Sequence, residues 1–185
     1  MKSSTLELRS LRREDEASFR NAVNAVKNEM PPFDFAFDFD ESACFHEYVE
    51  KLEGWSRGEG LADKWVPNSF LVGVVDGQIV GRLSLRHCLN SFLESTGGHI
   101  GYAVIPSCRR KGYATEMLRQ SLPIAASLGI KQVLITCDTD NIGSRNIIED
   151  CGGVFENIAN DPNLEVQKRR YWIDVEQAIG RIIQP

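Results

Sequence analysis

The sequence lacks the features that mark membrane-spanning, secreted and metal-binding proteins. It has no run of 18 or more apolar residues and opens on no apolar stretch of the signal-peptide kind, so we expect a cytoplasmic protein without membrane contact. Its five cysteines are odd in number and show no Cys-x-x-Cys spacing, which indicates reduced thiols rather than a disulfide framework. The three histidines, His46, His87 and His99, are isolated from any matching ligand. We therefore expect no metal site.

Excess positive charge is missing as well. The 185 residues carry a formal net charge of −5 with a pI near 5.3, and this balance argues against a nucleic-acid-binding surface. The apolar fraction of 42% and the charged fraction of 25% are ordinary for a soluble globular protein. No internal repeat or low-complexity linker divides the sequence. Length and composition predict one domain over residues 1–185, present as a monomer or homodimer.

Alternation of apolar and polar residues predicts strands, and a spacing of three to four predicts helices. The clearest unit is a hairpin around Asp76-Gly77, a dipeptide that accepts the positive φ angles of a type I′ turn. Pro123 lies inside a predicted helix and should kink or interrupt it. Strands are predicted at residues 6–11, 70–75, 78–85, 100–105, 132–137, 154–158 and 166–173, and helices at 14–29, 41–55, 113–129 and 141–151. This order predicts an α+β fold, with a central mixed, mainly antiparallel sheet of about seven strands, two parallel βα units in its middle and about four helices.

A basic loop joins one predicted strand to the following helix. It reads Arg109-Arg110-Lys111-Gly112-Tyr113-Ala114 and comes after an apolar strand that Pro106 closes. The first turn of a helix has amide N–H groups without intrahelical partners and carries about half a positive charge. The strand–loop–helix layout therefore predicts a pyrophosphate site. It is neither a P-loop nor a dinucleotide fingerprint, because both glycine patterns are missing.

The same loop resembles the signature of the GNAT acyltransferases, in which Gln or Arg is followed by two residues, Gly, one residue and Gly or Ala. Arg109, Gly112 and Ala114 match it position by position, and the similarity extends from about Ser69 to Trp172. The resemblance implies the GNAT fold and an acetyl-CoA-dependent N-acetyltransferase. Within that superfamily the sequence is most similar to a group of uncharacterised bacterial acetyltransferases. The stretches that carry this similarity are residues 98–102, 109–114, 136–138, 140–142 and 170–173.

The resemblance implies cofactor contacts that come mostly from the backbone. The pantetheine arm of acetyl-CoA would bind as an additional strand, through the main chain of Ala103, Val104 and Tyr102. Asn141 and Ser144 match the family's Asn-x-x-Ala/Ser, where the asparagine contacts the cofactor, although a helix cap also explains Asn141. The CoA pyrophosphate would bind at the loop and the first helical turn, namely at Arg109, Arg110, Lys111, Gly112, Tyr113, Ala114 and Thr115.

The sequence leaves the two proton transfers open. Many GNAT relatives carry a glutamate before the loop as general base, but the matching stretch here has no carboxylate. His99 is the nearest candidate base and His87 a weaker one, while a histidine held in a structural hydrogen-bond network is the alternative. Relatives often have a tyrosine seven residues after the asparagine as general acid, and this position holds Ile148. Tyr102, Tyr113 or water would then protonate the departing thiolate.

An alternating run of phenylalanine and aspartate lies in the region with which GNAT relatives line the acceptor site. Phe33, Phe35 and Asp38 are the predicted contacts, since aromatic rings with interleaved carboxylates suit a cationic, partly apolar amine. The alternation is also typical of a loop whose phenylalanines face the core and whose aspartates face water. The acceptor would be a small-molecule or peptide amine, whose identity the sequence leaves open.

The predicted function is transfer of an acetyl group from acetyl-CoA to a primary amine, by direct attack of the amine on the thioester. An acyl-enzyme route through Cys108 or Cys137 is the mechanistic alternative. A non-catalytic module that binds or senses acyl-CoA is the alternative from another class, since the family's glutamate and tyrosine are missing. A nucleotide-binding protein is the third, and it predicts an affinity for ATP comparable with that for acetyl-CoA.

Overall fold

The computed structural model describes residues 5–29, 35–161 and 166–183. They form a seven-stranded sheet with the order β1-β2-β3-β4-β5-β7-β6. All neighbouring strands are antiparallel except β4 and β5, which run parallel. The strands are β1 (Glu7–Ser10), β2 (Asn68–Val75), β3 (Gln78–Arg86), β4 (Ile100–Val104), β5 (Gln132–Asp138), β6 (Val154–Asp161) and β7 (Val166–Asp174). The predicted α+β class and seven-stranded, mainly antiparallel sheet are confirmed.

Five α-helices flank the sheet in the described residues, one more than the sequence predicted. They are α1 (Glu16–Val26), α2 (Phe45–Arg57), α3 (Tyr113–Ser127), α4 (Ile142–Asp150) and α5 (Val175–Ile183). The unpredicted helix is α5, which Asp174 caps by accepting a hydrogen bond from Gln177 N at 3.0 Å. Asp174 is a residue type favoured at this position, so the sequence did contain a signal for α5. No helix in these ranges is long and apolar enough to cross a bilayer.

Two hydrophobic clusters lie on opposite faces of the sheet. One contains Leu83, Leu85 and Ile100 from the sheet together with side chains of α3, α4 and α5. The other contains Phe70 and Val72 of β2 together with side chains of α1 and α2. Alternate residues of a strand point to opposite faces, so the sheet divides the molecule into an α3–α4 side and an α1–α2 side.

Of two local predictions, the hairpin turn at Asp76-Gly77 is observed and the interruption of a helix at Pro123 is not. Asp76 and Gly77 have φ angles of 49° and 74°, as the predicted type I′ hairpin requires. By contrast, α3 runs through Pro123 without interruption. Leu122 and Ala125 on either side of it are both fully buried, and this burial offsets the cost of about 3 kcal/mol that proline brings to a helix interior.

Candidate functional site

The sheet opens between its two parallel strands. β4 and β5 share one registered pair, Ile100↔Ile135, whereas β4 pairs with β3 along its whole length. Beyond Ile100, the edge of β4 that faces β5 has no neighbouring strand in the described sheet. We call this opening the β4–β5 cleft.

The backbone groups on this open edge come from alternate residues of β4. Ile105 N donates to Val80 O of β3 at 3.0 Å, and residues two apart point to the same neighbouring strand. The backbone of Ala103 is therefore turned toward β3, while the N–H and C=O groups of Tyr102 and Val104 point into the cleft. Of the predicted pantetheine contacts, Tyr102 and Val104 have the geometry that strand addition needs. The backbone of Ala103 is engaged in the sheet.

The loop after β4 presents a row of amide donors. The first backbone bond at the start of α3 runs from Glu116 N to Gly112 O at 3.0 Å, so the N–H groups of residues 113–115 have no intrahelical acceptor. No other acceptor takes the N–H groups of residues 110–115 within the described ranges. Arg110 and Gly112 have φ angles of 63° and 82°, which are typical of the backbone concavities that bind anions. We call these six N–H groups the amide cradle.

Positive side chains surround the amide cradle, and one of them is already engaged. Arg109 donates from Nη2 to Glu29 at 2.6 Å and from Nε to Val104 O at 3.2 Å, so it fixes the loop to β4 and to the end of the α1 segment. Arg110 and Lys111 are exposed. A Cβ placed on Gly112 would meet no atom within 4 Å, so the cradle is open to solvent at that point.

The side chain of Tyr102 reaches across the cleft to α4. Its hydroxyl lies 2.8 Å from Ser144 Oγ. Asn141 caps α4 by accepting a hydrogen bond from Ser144 N at 2.9 Å, so the cap is observed, and contact of Asn141 with a cofactor stays a prediction. Burial raises the pKa of Tyr102 well above its usual value, and the hydrogen bond to Ser144 offsets part of that rise. Tyr102 is therefore protonated at neutral pH, and its hydroxyl is available as a hydrogen-bond donor.

His99, the candidate base, is tied into the backbone of β5. The imidazole is 7% exposed, and its Nδ1 accepts a hydrogen bond from Leu134 N at 2.9 Å. Burial, aided by the charge of Arg86, lowers the pKa of His99 to about 4. Nδ1 is occupied and the neutral ring carries its proton on Nε2, so no lone pair is free to accept a proton. His87 is also held, with Nε2 2.9 Å from Ser69 Oγ; this geometry favours structural roles for both histidines.

The low pKa of His99 makes stability depend on pH. Between pH 6.5 and pH 4 the unfolded chain binds a proton at His99 and the folded chain does not, so this residue lowers stability as the pH falls. We expect His99→Asn, which keeps an acceptor near the position of Nδ1 but cannot titrate, to lack this loss. At one pKa unit per 1.4 kcal/mol, the two proteins should diverge by up to about 3 kcal/mol at pH 4. Urea unfolding at several pH values measures this difference, and parallel curves would contradict a buried neutral imidazole.

Ile148 stands where many GNAT relatives have a tyrosine. It is fully buried in the cluster under the α3–α4 side of the sheet. A side chain in this position serves packing and provides no proton donor, so the hydroxyl of Tyr102, which belongs to β4 itself, is the candidate that we consider instead.

The structure separates the predicted acceptor residues. Phe33 lies outside the described residues. Phe35 is 2% exposed in the cluster around Phe19, and Asp38 is exposed and forms an ion pair with Lys51. The geometry therefore favours the interpretation in which the phenylalanine faces the core and the aspartate faces water.

A cavity of about 180 Å³ lies on the α1–α2 side instead. Ser84 and Arg86 of β3 line it, together with Asn68, Phe37, Trp65 and Phe92. Sequence reasoning did not predict any of these contacts. A weak signal existed in β3, where the polar residues at positions 82, 84 and 86 alternate with apolar residues although both faces of the strand are covered.

The cleft runs along β4, and the free amides follow at the end of that strand. This arrangement suits an extended ligand that carries an anionic group, such as an acyl-CoA. The chain belongs to the GNAT acetyltransferase family, because the family model described as "Acetyltransferase (GNAT) domain" matches residues 5–154. It is therefore an acyltransferase of the N-acetyltransferase superfamily, as the basic loop predicted. A search of the curated proteins gave no match.

Solved structures of low sequence identity share the fold. RimJ from Mycobacterium smegmatis, in complex with CoA-disulfide, has a TM-score of 0.71 and 20% identity, over 97% of this chain and 88% of that one. RimL, a ribosomal alpha-N-protein acetyltransferase in complex with coenzyme A, has a TM-score of 0.65 and 17% identity, over 93% and 95%. A chimera of the spermidine N-acetyltransferase SpeG from Vibrio cholerae and hSSAT has a TM-score of 0.61 and 17% identity, over 96% and 100%.

Proposed function

We propose that this protein transfers an acetyl group from acetyl-CoA to an amine, by direct attack of the amine on the thioester carbonyl. The amide cradle carries this proposal, because six neighbouring N–H donors without acceptors need an anion or water as partner. The open edge of β4 leads away from the cradle and would bind the pantetheine arm. The structural neighbours that bind coenzyme A, RimJ and RimL, support this choice of donor.

The direction of β4 determines where the acetyl group would lie. The pyrophosphate would bind after Val104, at one end of the strand, and the arm would run back along the open edge toward Ile100. There the cleft closes at the pair Ile100↔Ile135, so the thioester would come to rest next to Tyr102. The acceptor would approach from the α1–α2 side of β4, since side chains of α3 and α4 cover the other side.

One proton donor assists the chemistry at the leaving sulfur. The amine nitrogen bonds to the carbonyl carbon, the C–S bond breaks, and the thiolate takes a proton from the hydroxyl of Tyr102, which solvent later replaces. The ammonium proton of the acceptor passes to solvent, because His99 has no free lone pair. A thiol with a pKa of about 8.5 leaves readily near neutral pH, so the donor accelerates the reaction without being indispensable.

Cysteine variants test the direct route. Cys137 is buried and burial raises its pKa, so little thiolate is present to attack a thioester. We expect Cys137→Ala and Cys108→Ala to keep turnover within about twofold of the wild type, since an acyl-enzyme route would require one of these thiols. Single-turnover kinetics with radiolabelled acetyl-CoA measures this, and a labelled protein intermediate that disappears in either variant would establish the acyl-enzyme route.

A non-catalytic acyl-CoA-binding module is the second candidate, favoured by the buried Ile148 and the engaged His99. Calorimetric titration with acetyl-CoA, combined with a CoA-release assay over a panel of amines, separates the two functions. Transfer predicts binding together with amine-dependent CoA release. A binding module predicts the same affinity for acetyl-CoA, and a rate of CoA release that no amine raises.

A further inference from the structure

The cavity on the α1–α2 side has an unusual charge. Arg86 Nη1 is buried and has no hydrogen-bond partner within the described chain, and burial alone lowers the pKa of this guanidinium, with no carboxylate acting in the opposite direction. Among the residues that the structure describes, no acidic side chain lines the cavity, whereas Lys64 adds a second positive charge. Arg86 is half-buried, and a cation that is partly withdrawn from water and lacks a counter-charge favours an anion as its partner.

Aromatic side chains give the cavity its shape. Phe37 and Trp65 lie edge to face with ring centroids 6.3 Å apart, and Phe92 completes the rim. Trp65 and Phe92 are 41% and 51% exposed, so the cavity opens to solvent. Its volume of about 180 Å³ is comparable with the roughly 150 Å³ of a cavity that holds benzene.

The cavity lies beside the end of β4 where the thioester would come to rest. A Cβ on Gly101 would lie 3.2 Å from Arg86 Nη1 and 3.8 Å from Arg82 Nη1, so glycine is what lets the guanidinium groups contact the strand. Gly101 is the neighbour of Tyr102. The amide cradle follows the other end of β4, and the strand Ile100–Val104 alone spans roughly 13 Å at about 3.3 Å per residue, so the two cationic regions would bind different groups.

We infer that Arg86 binds a carboxylate of the acceptor, and that the acceptor is an amine with both a carboxylate and an apolar or aromatic body. This rests on the proposed function, since it assigns the substrate class of the same site. A guanidinium can hold a carboxylate through two parallel hydrogen bonds, and the side chains of Ser84 and Asn68, both buried at the cavity, add further polar groups.

A binding experiment tests the subsite without catalysis. Phenylacetate and phenylacetamide have the same shape and differ in charge, and Trp65 at the rim provides a fluorescence signal. We expect wild-type protein to bind phenylacetate at least tenfold more tightly than phenylacetamide, and Arg86→Met to lose this difference. Arg13→Met, at an exposed arginine outside the cavity, is the matched control and should keep it. Equal affinity of the two probes for wild-type protein would overturn the inference.

A stability measurement separates a binding role from a structural one. A half-buried guanidinium without a counter-charge adds little to the stability of the free protein, so Arg86→Met should have an unchanged or higher melting temperature. Phenylacetate should raise the melting temperature of the wild type only. A marked fall in the melting temperature of Arg86→Met would show that Arg86 serves the fold, and would overturn the assignment.

Kinetics then distinguish this inference from the proposed function. We expect phenylalanine to be acetylated with a kcat/KM at least tenfold above that of phenylalaninamide, and Arg86→Met to remove the preference. If phenylacetate binds but no amine is acetylated, the result supports the carboxylate subsite and contradicts the transferase proposal. Acetylation of both amines with equal kcat/KM would leave the transferase proposal standing and remove the subsite.

Discussion

Gly112→Asp is expected to weaken acetyl-CoA binding about 100-fold or more while the protein stays folded. The aspartate would place a negative charge about 5 Å from the pyrophosphate, and at an effective dielectric constant near 20 this repulsion amounts to about 3 kcal/mol. Folding is affected little, because a Cβ at Gly112 meets no atom within 4 Å and aspartate tolerates a positive φ angle better than most residues. Calorimetric titration with acetyl-CoA measures the affinity, and thermal unfolding measures the fold.

Gly112→Asn is the matched control for this result. Asparagine has the same shape and a similar tolerance of the φ angle of 82°, but it carries no charge. It should bind acetyl-CoA at least tenfold more tightly than Gly112→Asp, with a melting temperature within a few degrees of it. An equal loss of acetyl-CoA affinity in both variants would show that the bulk of the side chain, and not its charge, weakens binding. Wild-type affinity in a folded Gly112→Asp would show that the pyrophosphate does not bind at the amide cradle.

Tyr102→Phe is expected to lower kcat by about 10-fold to 100-fold and to leave acetyl-CoA affinity within threefold of the wild type. General acids typically contribute 10²-fold to 10⁴-fold, and we expect the lower part of this range because a thiolate leaves readily without help. Binding is preserved because the contact to the pantetheine arm would come from the backbone of Tyr102. Steady-state kinetics combined with calorimetry separates the two quantities.

Ser144→Ala is the control for the tyrosine variant. It removes the hydroxyl 2.8 Å from the phenol but leaves the proposed acid in place, so kcat should fall by less than about fivefold. A kcat for Tyr102→Phe within twofold of the wild type would show that water or another group protonates the thiolate. Because burial raises the pKa of Tyr102, the wild type should keep its kcat up to at least pH 9.

The amide cradle could be predicted from the sequence because its causes are local. A glycine at position 112, an apolar strand before it and a helix after it determine where backbone N–H groups lose their partners. The hairpin at Asp76-Gly77 was predictable for the same reason, since two adjacent residues determine the turn.

The cleft and the cavity depend instead on residues far apart in the sequence. The β4–β5 cleft exists because two strands separated by α3 pair at a single position, and no local pattern encodes the point at which pairing ends. Arg86 follows two other polar residues at alternate positions of β3, and only the three-dimensional packing against Gly101 of the next strand shows that its Nη1 atom is buried. The residue type of His99 suggested a general base. The hydrogen bond that its Nδ1 accepts from Leu134 N, a residue far away in the sequence, favours a structural role instead.

A crystal structure of the acetyl-CoA complex tests the proposed cofactor site. We expect pyrophosphate oxygens within about 3 Å of the N–H groups of the amide cradle. We also expect the pantetheine arm to pair with the backbone of Tyr102 and Val104, and the acetyl group to lie beside Tyr102 at the closed end of the cleft. A pyrophosphate bound away from residues 110–115, or an arm that leaves the edge of β4 free, would contradict it.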